Sequence, residues 1–117
     1  MNKTTFIKNL YKAVDDKNLE DLSELLSDNV RFCIANHDPI NGKETALKAN
    51  QAFFSSITSM KNHIDTVWEQ DSDVICNGSV DYIRLDGSEF SAPFATVLKL
   101  QADKIADYLV YADISQL

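Results

Sequence analysis

The sequence predicts an α+β domain in which helices pack on one face of a mainly antiparallel sheet. Up to about residue 60, apolar residues recur with the period of roughly 3.6 that is typical of amphipathic helices, and a single strand-like run interrupts them. Beyond that point the period changes to two, and strand-like segments follow one another across short polar turns. Since short turns join antiparallel neighbours, we expect the helices first and most of the sheet after them.

Local signals fix the ends of several of these elements. Asn18 can cap the second helix, with Asp21 three residues further on, and Asn41 with Glu44 has the spacing of a capping box ahead of the third. The pair Asp86-Gly87 indicates a hairpin. The predicted elements are helices over 4–16, 19–26 and 43–60, and strands over 30–35, 63–70, 74–85, 90–101 and 105–114.

The predicted strands are apolar on both of their alternating faces. Val74, Cys76 and Val80 alternate with Ile75 and Ile83 along one strand. An antiparallel sheet that is covered on one side shows polar residues on its other face. We therefore expect the second face to be covered as well, or the sheet to enclose a pocket.

Composition excludes several classes of function. The chain has 117 residues and a net charge of -7, and its cations are scattered, which opposes binding to nucleic acid or to a membrane surface. No apolar run is long enough to span a bilayer. Cys33 and Cys76 lie far apart in apolar runs, so we expect free thiols, a cytoplasmic location and no metal or other cofactor.

Several short strings, in this order and with these gaps, resemble the NTF2-like superfamily, in its SnoaL-like and steroid-isomerase-like branch. The resemblance extends over essentially the whole chain, residues 1–117, as one domain. The strings are KNLEDL (17–22) with LLSDNV (25–30), PINGKE (39–44), DG (86–87), and KIADY (104–108) with YAD (111–113).

The resemblance implies an NTF2-like cone, in which three helices pack on a strongly curved sheet that surrounds an interior pocket. It also implies a homodimer formed through the outer face of the sheet, and a small hydrophobic molecule as ligand. Members include isomerases, polyketide cyclases, dehydratases, epoxide hydrolases and binding modules, so the fold leaves the reaction open.

Two of the family's chemistries match this sequence poorly. Asp38, which precedes a proline, resembles the base of steroid isomerases, but the positions of the two oxyanion donors fall on Leu10 and Ala95. Asp81 matches one of the three polar residues of limonene-type epoxide hydrolases, whereas the acid of the last strand falls on Val110. Neither set is complete.

The scytalone-type dehydratases provide the best match. They use two histidines and an aspartate of the first helix, and His63 and Asp15 fall at two of these three positions. A carboxylate can orient an imidazole and raise its basicity. The sequence therefore predicts His63 as an acid/base that is oriented by Asp15 or Asp38.

Four further residues are candidates for contact with substrate. Tyr82 and Tyr111 could position a substrate oxygen, Asp81 is a charge within an apolar strand, and Asp113 lies in the last family-like string. The enzymatic hypothesis is an isomerisation, cyclisation or dehydration without cofactor. The alternative is a non-catalytic ligand-binding or dimerisation module, in which Asp15, Asp38 and Asp113 only form turns or helix ends.

Overall fold

Three helices and six strands make up the computed structural model, which describes residues 2–117. The helices come early in the chain, as predicted, and four consecutive strands follow the last of them. In chain order the elements are α1 (Lys3–Asp15), α2 (Leu19–Leu25), β1 (Leu26–Ile34), β2 (Ile40–Asn41), α3 (Lys43–Ser55), β3 (Ile57–Gln70), β4 (Asp73–Arg84), β5 (Glu89–Gln101) and β6 (Lys104–Ala112).

The strands form one mixed sheet in the order β2-β1-β6-β5-β4-β3. Strands β3 to β6 run as an antiparallel meander, and β2 also pairs antiparallel with β1. Only the pairing between β1 and β6 is parallel, with Arg31 opposite Asp107 and Phe32 opposite Tyr108. The predicted α+β class and mainly antiparallel sheet are confirmed.

Capping side chains begin the first two helices. The Asn2 side chain accepts a hydrogen bond from the Thr5 backbone N–H, and the Asn18 side chain accepts one from that of Asp21, as predicted for the second helix. Helix α1 buries an apolar face that includes Ile7 and Leu10. This burial holds the helix against the concave face of the sheet.

The third helix begins at Lys43 as predicted, but its N-terminal cap and its C-terminal end differ from the prediction. Its N-cap is Gly42, at φ +94°, and no side chain caps it, so the predicted capping box of Asn41 and Glu44 is wrong. The helix ends at Ser55 rather than at residue 60, and the Ser56 hydroxyl donates to the Phe53 carbonyl oxygen. Ser and Thr hydroxyls compete for backbone groups and β-branched residues favour strands, which explains why residues 56–59 leave the helix.

Residues that were predicted at the end of α3 belong instead to strand β3. Ile57 and Met60, which were predicted on the helix, both lie in β3 and are buried there. At the other end of the sheet, β1 begins at Leu26 instead of residue 30, and β2 was not predicted. The earlier start of β3 places Met60 and Asn62 on the strand, where both line the concave side of the sheet.

Irregular pairing bends the sheet. The register between β3 and β4 shifts between Ile64 and Thr66, where Gly78 of β4 lies opposite Ile64. A Cβ atom built on Gly78 would lie 1.8 Å from the His63 carbonyl oxygen, so only glycine allows this approach. Because such bulges bend the strand that contains them and increase its twist, they help to curve the sheet around α1 and α3.

Candidate functional site

A cavity of about 270 Å³ lies between the concave face of the sheet and the helices α1 and α3. Pockets for small molecules typically occupy about 300–1,000 Å³, so this one lies just below that range. Most of its wall is apolar. The lining residues are Tyr11, Val14, Phe32, Ile34, His37, Ile40, Ala49, Asn50, Phe53, Phe54, Met60, Asn62, Val80, Tyr82, Phe94, Tyr108, Val110, Ala112 and Ile114.

Three tyrosines supply part of the polar surface of this cavity. Burial raises the pKa of Tyr82 to about 12, and it raises the pKa values of Tyr11 and Tyr108 as well. The Tyr11 hydroxyl lies 2.5 Å from the Thr96 hydroxyl, which is wholly buried. At neutral pH these phenols are therefore protonated and can donate hydrogen bonds.

Two asparagines supply the rest of the buried polar surface. The Asn62 Nδ2 group donates to Asp15 Oδ1 at 2.6 Å, and the Asn62 backbone N–H donates to the same carboxylate at 3.1 Å. Burial raises the pKa of Asp15, although the hydrogen bonds from Asn62 oppose this effect. The Asn50 Nδ2 group donates to the Ala46 carbonyl oxygen at 2.8 Å within α3.

No Asp, Glu, Lys or Arg lines the cavity, as far as residues 2–117 define it. His37 is the exposed member of the wall, and it also lines a shallow groove that contains Asn36, Tyr111 and Asp113. The opening of the cavity therefore lies beside the loop between β1 and β2.

The structure pairs His63 with a carboxylate other than the two predicted. His63 Nε2 lies 2.9 Å from Asp81 Oδ2, and Asp81 Oδ1 accepts a hydrogen bond from the Ser91 hydroxyl. Hydrogen bonds from Ser91 and His63 lower the pKa of Asp81. His63 and Asp81 are exposed on the outer face of the sheet, while Asp15 contacts Asn62; the expected contact between His63 and Asp15 or Asp38 is thus replaced.

The other candidates are divided between the cavity and the surface. Tyr82 lines the cavity, whereas Tyr111 is 56% exposed on the outer face and Asp38 is exposed in the loop after β1. Asp113 accepts hydrogen bonds from the backbone N–H and the hydroxyl of Ser115, which lower its pKa. Of the seven candidates, Tyr82 alone lines the cavity, and Asp15 lies behind its wall.

Sequence reasoning missed the polar residues His37, Asn50 and Asn62. Asn50 interrupts the apolar face of α3 between Ala46 and Phe53, and a polar residue on a core face is a signal that could have been used. Asn62 could be placed only after the true start of β3 was known. His37 lies in a loop, for which no periodicity exists.

Neither a metal site nor a membrane-spanning helix is found in the described part of the chain. No three His, Cys, Asp or Glu side chains of residues 2–117 converge as metal ligands. None of the helices there has the length and hydropathy to cross a bilayer. Cys33 and Cys76 are free; Cys76 is buried, which raises the pKa of its thiol to about 11, whereas Cys33 is half-buried.

Comparison with known proteins gives a consistent family and fold. A family model described as a SnoaL-like domain matches residues 7–108. No protein of curated function matches the sequence.

Solved structures extend the likeness to almost the whole chain. An NTF2-like protein of unknown function from Burkholderia pseudomallei K96243 has a TM-score of 0.89 at 14% identity, covering 99% of this chain and 94% of its own. A protein provisionally described as a SnoaL-like polyketide cyclase from Jannaschia sp. CCS1 has a TM-score of 0.84 at 13% identity, and the match covers 97% of this chain and 86% of that one. The third structure is a hypothetical protein with a ketosteroid isomerase-like fold from Catenulispora acidiphila DSM 44928, in complex with trimethylamine. Its TM-score is 0.85 at 16% identity, and the match covers 93% of this chain and 85% of that one.

Proposed function

The chain belongs to the SnoaL-like domain family, and on that premise we propose that it binds a small, mainly apolar molecule in the cavity beneath its curved sheet. The observation that carries the proposal is the cavity of about 270 Å³ in the middle of the fold. Its wall is mainly aromatic and aliphatic, with a few polar groups at fixed positions. This combination is typical of sites that hold small organic ligands.

The placement of the polar residues favours binding over the catalytic hypothesis. Proton transfer needs an acid or base within hydrogen-bond reach of the reacting atom. The ring of His63 lies against Asp81 on the outer face, and the buried tyrosines are held in their protonated form. The one imidazole of the wall, that of His37, is exposed at the opening of the cavity. The acid/base role of His63 stays a prediction, as do the substrate contacts of Asp81, Tyr111 and Asp113; ligand binding requires none of them.

Filling the cavity tests the proposal. Ala49 of α3 lines the cavity, and Ala49→Trp should lower the affinity for the uncharged fluorescent dye N-phenyl-1-naphthylamine by about tenfold or more, because the indole occupies the volume of the ligand. Ala52 lies three residues further along the same helix and is exposed, so Ala52→Trp is the matched control and should bind the dye like the wild type. The measurement is a fluorescence titration. Equal affinity of Ala49→Trp and the wild type, or no dye binding by the wild type, would contradict the proposal.

We propose further that two copies of the chain associate through the outer face of the sheet. A row of apolar side chains crosses this face from β3 to β6, where Trp68 pairs with Ile75, Ile75 with Val97, and Val97 with Leu109. Trp68 is 50% exposed. Beside this row, the Asn77 side-chain oxygen is buried without a hydrogen-bond partner within residues 2–117. Exposed apolar patches mark interaction surfaces, and a second copy could bring a donor to Asn77.

A charge in this row should separate the copies. Val97→Glu is expected to convert a dimer into a monomer, because a desolvated carboxylate at the centre of an apolar contact is unfavourable. The molar mass is measured by light scattering after size-exclusion chromatography. Leu85→Glu replaces a side chain that is 68% exposed near the β4–β5 turn, and it should leave the mass unchanged. A monomeric wild type, or a Val97→Glu protein that remains dimeric, would exclude this contact.

A further inference from the structure

We infer that the cavity selects an uncharged ligand that donates hydrogen bonds, such as an aromatic alcohol, and that the amide oxygens of Asn50 and Asn62 are its acceptors. The inference rests on the proposed ligand-binding function and adds to it the chemical class of the ligand. It follows from how the two amides are oriented, because each has one end held by a group that can only accept.

Asn62 is oriented by Asp15. The carboxylate accepts from both the backbone N–H and the Nδ2 group of Asn62, and an ionised carboxylate has no hydrogen to donate. The amide must therefore present Nδ2 to Asp15 and direct Oδ1 elsewhere. Asn62 lines the cavity, so a ligand that reaches it encounters an acceptor.

Asn50 is oriented in the same way by its own helix. Its Nδ2 group donates to the carbonyl oxygen of Ala46, which again can only accept. The side chain is 7% exposed and lines the cavity. Among residues 2–117, the sole buried side-chain polar atom without a hydrogen-bond partner is on Asn77. The Oδ1 atoms of Asn50 and Asn62 are therefore not enclosed by protein atoms and remain accessible to a ligand. The cavity is the space that both residues line, and Asn62 also borders a more open groove that contains Asp15 and Lys61.

The charge of the ligand follows from what surrounds these acceptors. No Lys or Arg among residues 2–117 lines the cavity to pair with an anion, and His37 is exposed at its opening. The tyrosine hydroxyls of the wall are uncharged and accept as well as donate, and two amide oxygens would face any carboxylate placed there. A cation would need a carboxylate partner, whereas Asp15 lies behind Asn62 and is occupied by it. Burial of an unpaired charge is unfavourable, which leaves a neutral donor.

Five naphthalene compounds separate these possibilities when their binding to the wild-type protein is measured by isothermal titration calorimetry. We expect 2-naphthol to bind about tenfold more tightly than both naphthalene, which is smaller, and 2-methoxynaphthalene, which is larger and lacks the donor. We expect 2-naphthoate and 2-naphthylmethylammonium to bind more weakly than 2-naphthol. In Asn50→Leu, whose fold loses only a hydrogen bond within α3, the preference for 2-naphthol over 2-methoxynaphthalene should fall about threefold or more.

Each other outcome has a distinct meaning. If naphthalene and 2-methoxynaphthalene bind as tightly as 2-naphthol, the cavity binds ligands without selecting donors; the inference is then wrong while the proposed function stands. Tighter binding of the carboxylate or the ammonium compound would overturn the uncharged class. A preference that is unchanged in both Asn50→Leu and Asn62→Leu would remove the two amides as acceptors. If none of the compounds binds, the proposed function fails and the inference fails with it.

Discussion

Gly78→Ala is expected to lower the free energy of unfolding by about 3 kcal/mol or more. The added Cβ would lie 1.8 Å from the carbonyl oxygen of His63 and 2.9 Å from its carbonyl carbon. Both atoms belong to the backbone of β3, so relief requires the strand to move away and lose ladder hydrogen bonds to β4. Chemical denaturation, monitored by circular dichroism, measures the effect.

A neighbouring alanine substitution provides the control. Ser79 follows Gly78 in β4 and faces the outside of the sheet, so Ser79→Ala should change the free energy of unfolding by less than about 0.5 kcal/mol. A Gly78→Ala protein as stable as Ser79→Ala would show that the bulge of β3 does not depend on the missing side chain.

The second large effect is expected at the hydrogen bond between Tyr11 and Thr96. The two hydroxyls are 2.5 Å apart and join α1 to β5 in the core. Tyr11→Phe or Thr96→Val removes one partner and leaves the other buried, which costs about 1–3 kcal/mol in each case. The double variant removes both polar groups, so its loss should be smaller than the sum of the single losses by about 1 kcal/mol.

A double-mutant cycle measured by denaturation tests this coupling. Tyr111→Phe, which removes an exposed hydroxyl on the outer face, should leave the free energy of unfolding unchanged and serves as control. Strictly additive losses would mean that the two hydroxyls do not stabilise each other.

The fold could be predicted because its main signals are local and periodic. The change from helical to alternating spacing identified the order of the helices and the four-stranded meander, and Asn18 and Gly87 marked a helix start and a turn. The end of α3 was missed because Ile57 and Met60 also fit a helical face. The parallel pairing of β1 with β6 has no local signal at all.

The site was less accessible to prediction because it depends on the phase of each strand. Tyr82 lies within the predicted fourth strand, β4, where alternation is regular, and its contact with substrate stays a prediction. In β3 the start of the strand was set six residues too late, and this hid the inward position of Asn62 and the outward position of His63. A bulge after Ile64 then changes the phase again. Family resemblance transferred His63 by sequence position, but its chemistry depends on which side of the sheet it faces.

The parallel ladder has a consequence for folding during synthesis. Strand β6 lies between β1 and β5 in the sheet, yet it follows both of them in the chain. Its partners in β1 are far away in the sequence, as the pairing of Arg31 with Asp107 illustrates. Until β6 has left the ribosome, β1 and β5 each expose an unpaired edge that another chain could extend. Such distant pairing also slows folding. Nascent chains that stop before residue 104 should therefore aggregate or recruit chaperones, whereas chains that include β6 close both edges in one step.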